Sequence, residues 1–289
     1  MNQENTININ QISIETNYDE LQEQEERKQT LQKGKRNVKM IYSTIALGYF
    51  IAMTLVFVFF PKVYSKQTIL LWFIIFNILF YLIIYHAYIT STLQPEIIPQ
   101  RYYIILEENK QFCAYCPICQ KHKAERVHHC HVLNKCIYRY DHYCTLLGNT
   151  IGYHNYKNFV LFQMSVFATV LVGMLHMANI LNLVGKEKLP YFVFILAILF
   201  VINICIAVTF ILIYQLVVTC MNMTMIEFMN WMIECIQTKR FVKPRYYKSI
   251  KENLKDMLHV PQNRCVLWGF LPLPPFYFEK ELQSNLHDD

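Results

Sequence analysis

The sequence predicts an all-α integral membrane protein. Four transmembrane helices are expected, with a small cysteine-rich domain in the loop between helices 2 and 3. Three observations carry this reading. Four long runs contain no Lys, Arg, Asp or Glu: Met40–Phe60, Thr68–Ile89, Phe159–Val184 and Tyr191–Val218. Basic residues are dense and sparse by turns between those runs. Of ten cysteines in 289 residues, six lie between Cys113 and Cys144. The chain is 54% hydrophobic and only 17% charged, where a soluble domain carries about a quarter charged residues. That balance excludes a disordered chain and most soluble enzymes.

In chain order, residues 1–39 are rich in Asn, Gln and Glu and read as a cytosolic, mobile tail, with room for a short helix in Tyr18–Gln32. The opening is polar, so no cleavable signal peptide is expected. Residues 40–89 hold the first two spans and 159–218 the third and fourth. Each run reaches the ~20 residues that cross a hydrocarbon core about 30 Å thick. The cluster Lys33, Lys35, Arg36 and Lys39 abuts the first span, whereas Lys62 and Lys66 alone join spans one and two. The loop 90–158 carries eight basic residues, the turn to the fourth span only Lys186 and Lys188, and the region 219–289 carries nine. The positive-inside tendency puts both termini and the central loop in the cytosol of a multi-pass membrane protein. A net charge of +6 on so apolar a chain suits anionic headgroups of a lipid bilayer, and no nucleic acid is expected.

The chemistry concentrates in loop 90–158. Cys116, Cys119, His129 and Cys136 are separated by two, nine and six residues. A Cys-x2-Cys pair places two thiolates on one turn, and a distant His and Cys complete a tetrahedron for Zn2+. Four protein ligands leave no open position, so the zinc would be structural. Cys113 makes an overlapping Cys-x2-Cys with Cys116 and is either a decoy or an alternate ligand, with Cys116 and Cys119 preferred because His129 then falls at the expected distance. Further on, Asp141, His142 and Cys144 have the parts of an activated nucleophile. A thiol near pKa ~8.5 needs an imidazole to take its proton or to stabilise the thiolate. A carboxylate orients that imidazole.

With these residues in order, together with Lys123, Arg126, Cys130, Asn149, Gly152, Asn155 and Phe159, the sequence resembles the DHHC protein S-acyltransferases (palmitoyltransferases), in an Asp-His-Tyr-Cys variant. Gln94–Pro99 stands where that family has Asp-Pro-Gly, and Thr224-Met225-Ile226-Glu227 where it has Thr-Thr-x-Glu. The resemblance implies four spans and a zinc-bound cytosolic domain between the second and third. It also implies a second ligand set, here Cys130 with Leu133, Tyr143 and Thr150; three of the four ligands are absent, so one zinc is expected. The family's Pro-Trp after the nucleophile reads Thr145-Leu146. Residues of the third helix are implied to close an acyl cavity; positions 159, 162, 166, 169 and 173 share one helical face.

The activity implied is transfer of a long-chain acyl group from acyl-CoA, through an acyl-Cys144 intermediate, to cysteines of substrate proteins. These would be cytosolic or membrane proteins with juxtamembrane cysteines. His142 would be the base and Asp141 its orienter. Lys123, Arg126 and His128, basic and near the knot, are candidates for the phosphates of CoA. Two other classes fit less well: a catalytically silent scaffold of the same fold, and a membrane-anchored zinc-knot interaction module. Glu227 is expected to tie the catalytic loop to the helices.

Overall fold

The computed structural model describes residues 9–58, 61, 64–95, 114–184, 191–261 and 263–272. Cys113, the turn at Lys186 and Lys188, and Glu96–Pro99 lie outside them.

Helix α1 runs unbroken over Ile9–Val58. From Ile9 onward, therefore, the segment expected to be a mobile tail is the first part of this helix. Its Glu, Gln, Lys and Leu residues are good helix formers. One face also recurs as half-buried or buried: Arg27, Thr30, Leu31, Gly34, Asn37, Val38, Ile41, Tyr42, Ile45 and Tyr49. Steps of three and four residues put these on a single stripe, which continues from the polar segment into the apolar one.

Helix α2 (Lys66–Thr92) is capped by Ser65, whose hydroxyl accepts from the Thr68 amide. The cysteine-rich domain follows and is not helical. It consists of three antiparallel two-stranded ribbons: β1 (Ala114–Cys116) with β2 (Lys121–Lys123), β3 (Val127–Cys130) with β4 (Lys135–Tyr138), and β5 (His142–Cys144) with β6 (Asn149–Ile151). The chain is thus mostly helical rather than all-α. Helix α3 spans Tyr153–Val184 and α4 spans Tyr191–Cys220. Two amphipathic helices, α5 (Met225–Thr238) and α6 (Ile250–Met257), precede a 3-10 turn at Val266–Phe270.

Among the described residues three helical stretches are long and apolar enough to cross a membrane: Lys66–Thr92, Tyr153–His176 and Ile202–Cys220. The stretch Tyr153–His176 begins earlier than the charge-free run Phe159–Val184 because Lys157, which interrupts the apolar pattern, is buried inside the helix rather than exposed before it. Residues 59 and 60, which end the first apolar run, lie outside the described residues.

Domain and membrane helices share one core. Ile83 and Ala87 of α2, Leu147 and Ile151 of the third ribbon, Tyr156, Phe159, Val160 and Phe162 of α3, and Met257, Leu258 and Val260 after α6 form a single buried cluster. Polar bonds fix the same junction. The last carbonyls of a helix have no partner within it, and Asn149 Nδ2 donates to Thr90 O (2.9 Å) and Leu93 O (2.8 Å) at the end of α2. Asn155 Nδ2 reaches the same two carbonyls, and its Oδ1 accepts from the Gly152 amide. At the far side, Asn253 Nδ2 donates to Cys220 O (2.7 Å), seating α6 on the end of α4.

Asn149→Ala should lower stability by about 2 kcal/mol, the cost of leaving buried carbonyls short of a donor. A thermal unfolding midpoint in detergent indistinguishable from that of the unaltered protein would show that Asn155 alone satisfies both carbonyls.

Candidate active site and metal knot

The metal knot is assembled by two ribbons. The β1–β2 turn brings Cys116 and Cys119 together. The β3–β4 register sets His129 directly opposite Cys136. The four ligand atoms lie within 4.8 Å of one another. His129 Nδ1 stands 3.6 Å from Cys116 Sγ, 3.3 Å from Cys119 Sγ and 4.0 Å from Cys136 Sγ. Zinc binds Cys at about 2.3 Å and His at about 2.0 Å, so sulfur–nitrogen edges of ~3.5 Å are what a tetrahedral site requires. The Cys119 amide points at Cys116 Sγ (3.4 Å), a contact that favours the thiolate. These residues could hold a metal ion, and their donor set suits zinc.

The second ligand set does not form a metal cluster among the described residues. Its positions nevertheless meet: Cys130 Sγ lies 3.3 Å from Thr150 Oγ1, and Tyr143 pairs with Thr150 across β5–β6. Hydrogen bonding and packing occupy the space.

Asp141, His142 and Cys144 lie along the start of β5. Asp141 is 2% exposed. Its Oδ2 is 2.7 Å from His142 Nδ1, and its Oδ1 accepts from the Met225 amide at 2.6 Å. The imidazole lies edge-on to the Phe159 ring, with centroids 5.3 Å apart. Cys144, half-buried, packs against the shared core at the head of α3. Burial by itself would lower the His142 pKa. The hydrogen bonds and charges of Asp141 and Cys144 outweigh it and raise the pKa to about 9. At neutral pH the imidazole therefore carries its proton between carboxylate and sulfur.

Of the three CoA candidates, Arg126 is already committed. Its guanidinium, 6% exposed, makes a bidentate pair with Glu227 (both 2.8 Å) and donates to Asn222 Oδ1 and O. Arg126 is a structural ion-pair partner rather than a free phosphate ligand. Glu227 also completes a capping box with Thr224 at the start of α5. That same first turn presents the Met225 amide to Asp141, so Glu227 does link knot, helix and catalytic row. Lys123 and His128 line a groove of about 630 Å³, together with Trp231, Arg245 and Tyr246. Burial lowers the His128 pKa, so at neutral pH it faces the groove uncharged.

The fold and site define a helical membrane protein whose cysteine-rich domain combines a metal knot with an acid–imidazole–thiol row. Residues 107–232 match the family model described as DHHC palmitoyltransferase. It is 28% identical over 160 residues to the probable protein S-acyltransferase 14 of Arabidopsis thaliana, covering 54% of this chain and 50% of that protein. It is 50% identical over 48 residues to palmitoyltransferase ZDHHC2 of Mus musculus, 17% of this chain and 13% of that protein. With palmitoyltransferase ZDHHC3 of Rattus norvegicus it shares 43% identity over 63 residues, 20% and 21% of the two chains. The chain spans about half the length of the plant relative and less of the other two.

The His142 shift has a pH signature. The folded pKa lies above the unfolded value near 6.5, so the stabilisation it contributes is fully present below pH 6.5 and is lost as pH rises through about 9. The difference in unfolding midpoint between the unaltered protein and His142→Gln should therefore shrink over that window. A difference constant from pH 6 to pH 9 would contradict the Asp141 and Cys144 interactions.

Proposed function

We propose that the protein is a protein-cysteine S-palmitoyltransferase. The observation that carries this is Cys144, set beside the Asp141–His142 pair and packed into the core at the membrane end of α3. In the first half-reaction the Cys144 thiolate attacks the thioester carbonyl of a long-chain acyl-CoA. The bond to the CoA sulfur breaks, and His142 gives its proton to the leaving thiolate. In the second, His142 accepts the proton of a substrate cysteine thiol. That sulfur then takes the acyl group and regenerates the Cys144 thiolate. Asp141 holds the imidazole in place and stabilises its charged form throughout. Each half-reaction restores what the other consumes, so no further acid or base is required.

Four spans, with both termini and the cysteine-rich domain in the cytosol, would put the thiol where both substrates arrive. An acyl chain gains about 0.8 kcal/mol per CH₂ on leaving water, so it would lie along the helices while CoA stays outside. On the shared face of α3, Phe159, Phe162 and Val166 pack into the core beside Cys144, whereas a Cβ added at Gly173 would meet no atom within 4 Å. A chain would lie deeper on that face. Lys123 and His128, joined by Arg245, would receive the CoA phosphates in place of Arg126. The Cys116, Cys119, His129 and Cys136 set would hold a single structural Zn2+ that keeps the two ribbons together.

Purified protein given palmitoyl-CoA should acquire a hydroxylamine-sensitive label that Cys144→Ala abolishes. A label of undiminished size on Cys144→Ala would move the nucleophile elsewhere, and no label on the unaltered protein would favour a silent scaffold. Metal analysis should give about one zinc per chain, lost together with loop stability in Cys116→Ala. A value of two would show that the Cys130 region binds metal after all.

A further inference from the structure

The cytosolic stretch of α1 lies directly against the loop that carries the thiol, and none of the chemistry above uses it. Gly34 is buried in mid-helix. A Cβ built there would fall 2.5 Å from Tyr143 Oη and 3.1 Å from Gly148 Cα. The approach is close from the other side as well. Gly148 sits at φ +62°, and a Cβ there would fall 2.8 Å from Val38 Cγ2 and 3.0 Å from Gly34 O. Three residues along the helix, Asn37 Nδ2 donates to the carbonyl of Thr145, the residue after Cys144, at 3.0 Å. Ile45, further along the same stripe, packs against the core cluster that also holds Cys144. From Gly34 to Ile45 the helix rises roughly 16 Å, so one rigid face touches the loop at Tyr143, Thr145 and Gly148 and then enters the membrane core beside the thiol.

Glycine in a helix interior costs about 1 kcal/mol relative to alanine, so local propensity argues against Gly34. Contact argues for it, because only a residue without a side chain lets the Tyr143 ring and the Gly148 backbone reach the helix. The Tyr143 hydroxyl is buried there and makes no hydrogen bond among the described residues. It fills space rather than bonding. The two ends of β5 are thus held by different elements: Asp141 by the first turn of α5, and the Thr145 end by α1.

We propose that the cytosolic stretch of α1 positions the Cys144 loop, and that Gly34, through its contact with Tyr143, is the residue on which that positioning depends. The role assigned is one of placing Cys144 against His142, and it rests on the acyl-transfer reading only for the consequence of misplacement. The geometry prescribes its own rescue. Gly34→Ala collides with the Tyr143 hydroxyl, and Tyr143→Phe removes that oxygen, leaving the ring carbon Cζ at 3.6 Å, an ordinary contact, and the Gly148 Cα at 3.1 Å, so that the rescue is partial.

The test is a double-mutant cycle on the full chain in detergent, with Gly34→Ala made in the unaltered and the Tyr143→Phe backgrounds. Two rates are read: loading from palmitoyl-CoA, and alkylation of Cys144 by iodoacetamide, followed by peptide mass spectrometry. In the unaltered background Gly34→Ala should slow both, by about fivefold or more, and in the Tyr143→Phe background by no more than about half that factor, the remainder coming from the Gly148 contact. Equal losses in the two backgrounds, or no loss in the unaltered one, would overturn the proposal. Alkylation needs no acyl-CoA, so a chain that never loads palmitate sinks the transferase reading while the alkylation cycle still decides the role of Gly34.

Discussion

The Asp141 carboxylate is the constraint on which the site depends. A charged group 2% exposed must find partners inside the protein or not be charged at all. Its two oxygens are divided between tasks, one facing the His142 ring and the other taking the Met225 amide. That amide is one of the unpaired donors at a helix start, where the helix dipole also favours negative charge. The place of the imidazole is therefore set by where α5 begins. The start of α5 is fixed in turn by the Thr224–Glu227 capping box. Glu227 is held by Arg126, three residues before the candidate metal ligand His129. The metal knot and the thiol are thus mechanically one object, although 101 residues separate Arg126 from Glu227.

That coupling explains why the cysteine-rich domain sits on the helices rather than beside them. Ribbons with strands of three or four residues bury too little to be stable alone. Here the third borrows a core from α2, α3 and the segment after α6, while the first two share a small cluster of Cys116, Ala124, Val127 and Cys136. Asn149 and Asn155 convert the open end of α2 into a socket for the third ribbon. A span end normally satisfies its last carbonyls with water. This one satisfies them with the domain, which leaves Cys144 at the junction of the domain with the apolar helices.

Much of this was legible in the sequence. Charge-free runs report long apolar helices, and the Cys and His spacing reports a cluster that could hold a metal ion, because both depend on residues near one another in the chain. What escaped depended on distant partners. Arg126 looked like a phosphate ligand because a basic side chain near a substrate site and one in a buried ion pair are the same letter; Glu227 decides between them. The start of α3 was placed too late because Lys157 breaks an apolar pattern whether or not it is buried. The ribbons were missed because alternation cannot be read over three residues. The N-terminal segment was read as a tail because its composition is polar. Its order comes from one stripe of contacts whose key members, Gly34 and Asn37, carry no hydrophobic signal.

The chain therefore offers two solutions to one problem, that of holding a short loop still. The first two ribbons are joined at Cys116, Cys119, His129 and Cys136, a cluster that could hold a metal ion. Around the third, three of the four positions that would supply a second clamp read Leu133, Tyr143 and Thr150, none of them a good zinc ligand. The ribbon is held instead by the Cys130–Thr150 contact within the domain, by Asn149 on α2, and by α1 packed on Tyr143 and Gly148. A metal clamp acts at a point and tolerates change in its surroundings. Packing acts over an area and requires that each surface fit the other. A loop held by packing must accordingly constrain residues in the element that covers it, and a glycine kept inside a helix against its own propensity is the form that constraint takes here.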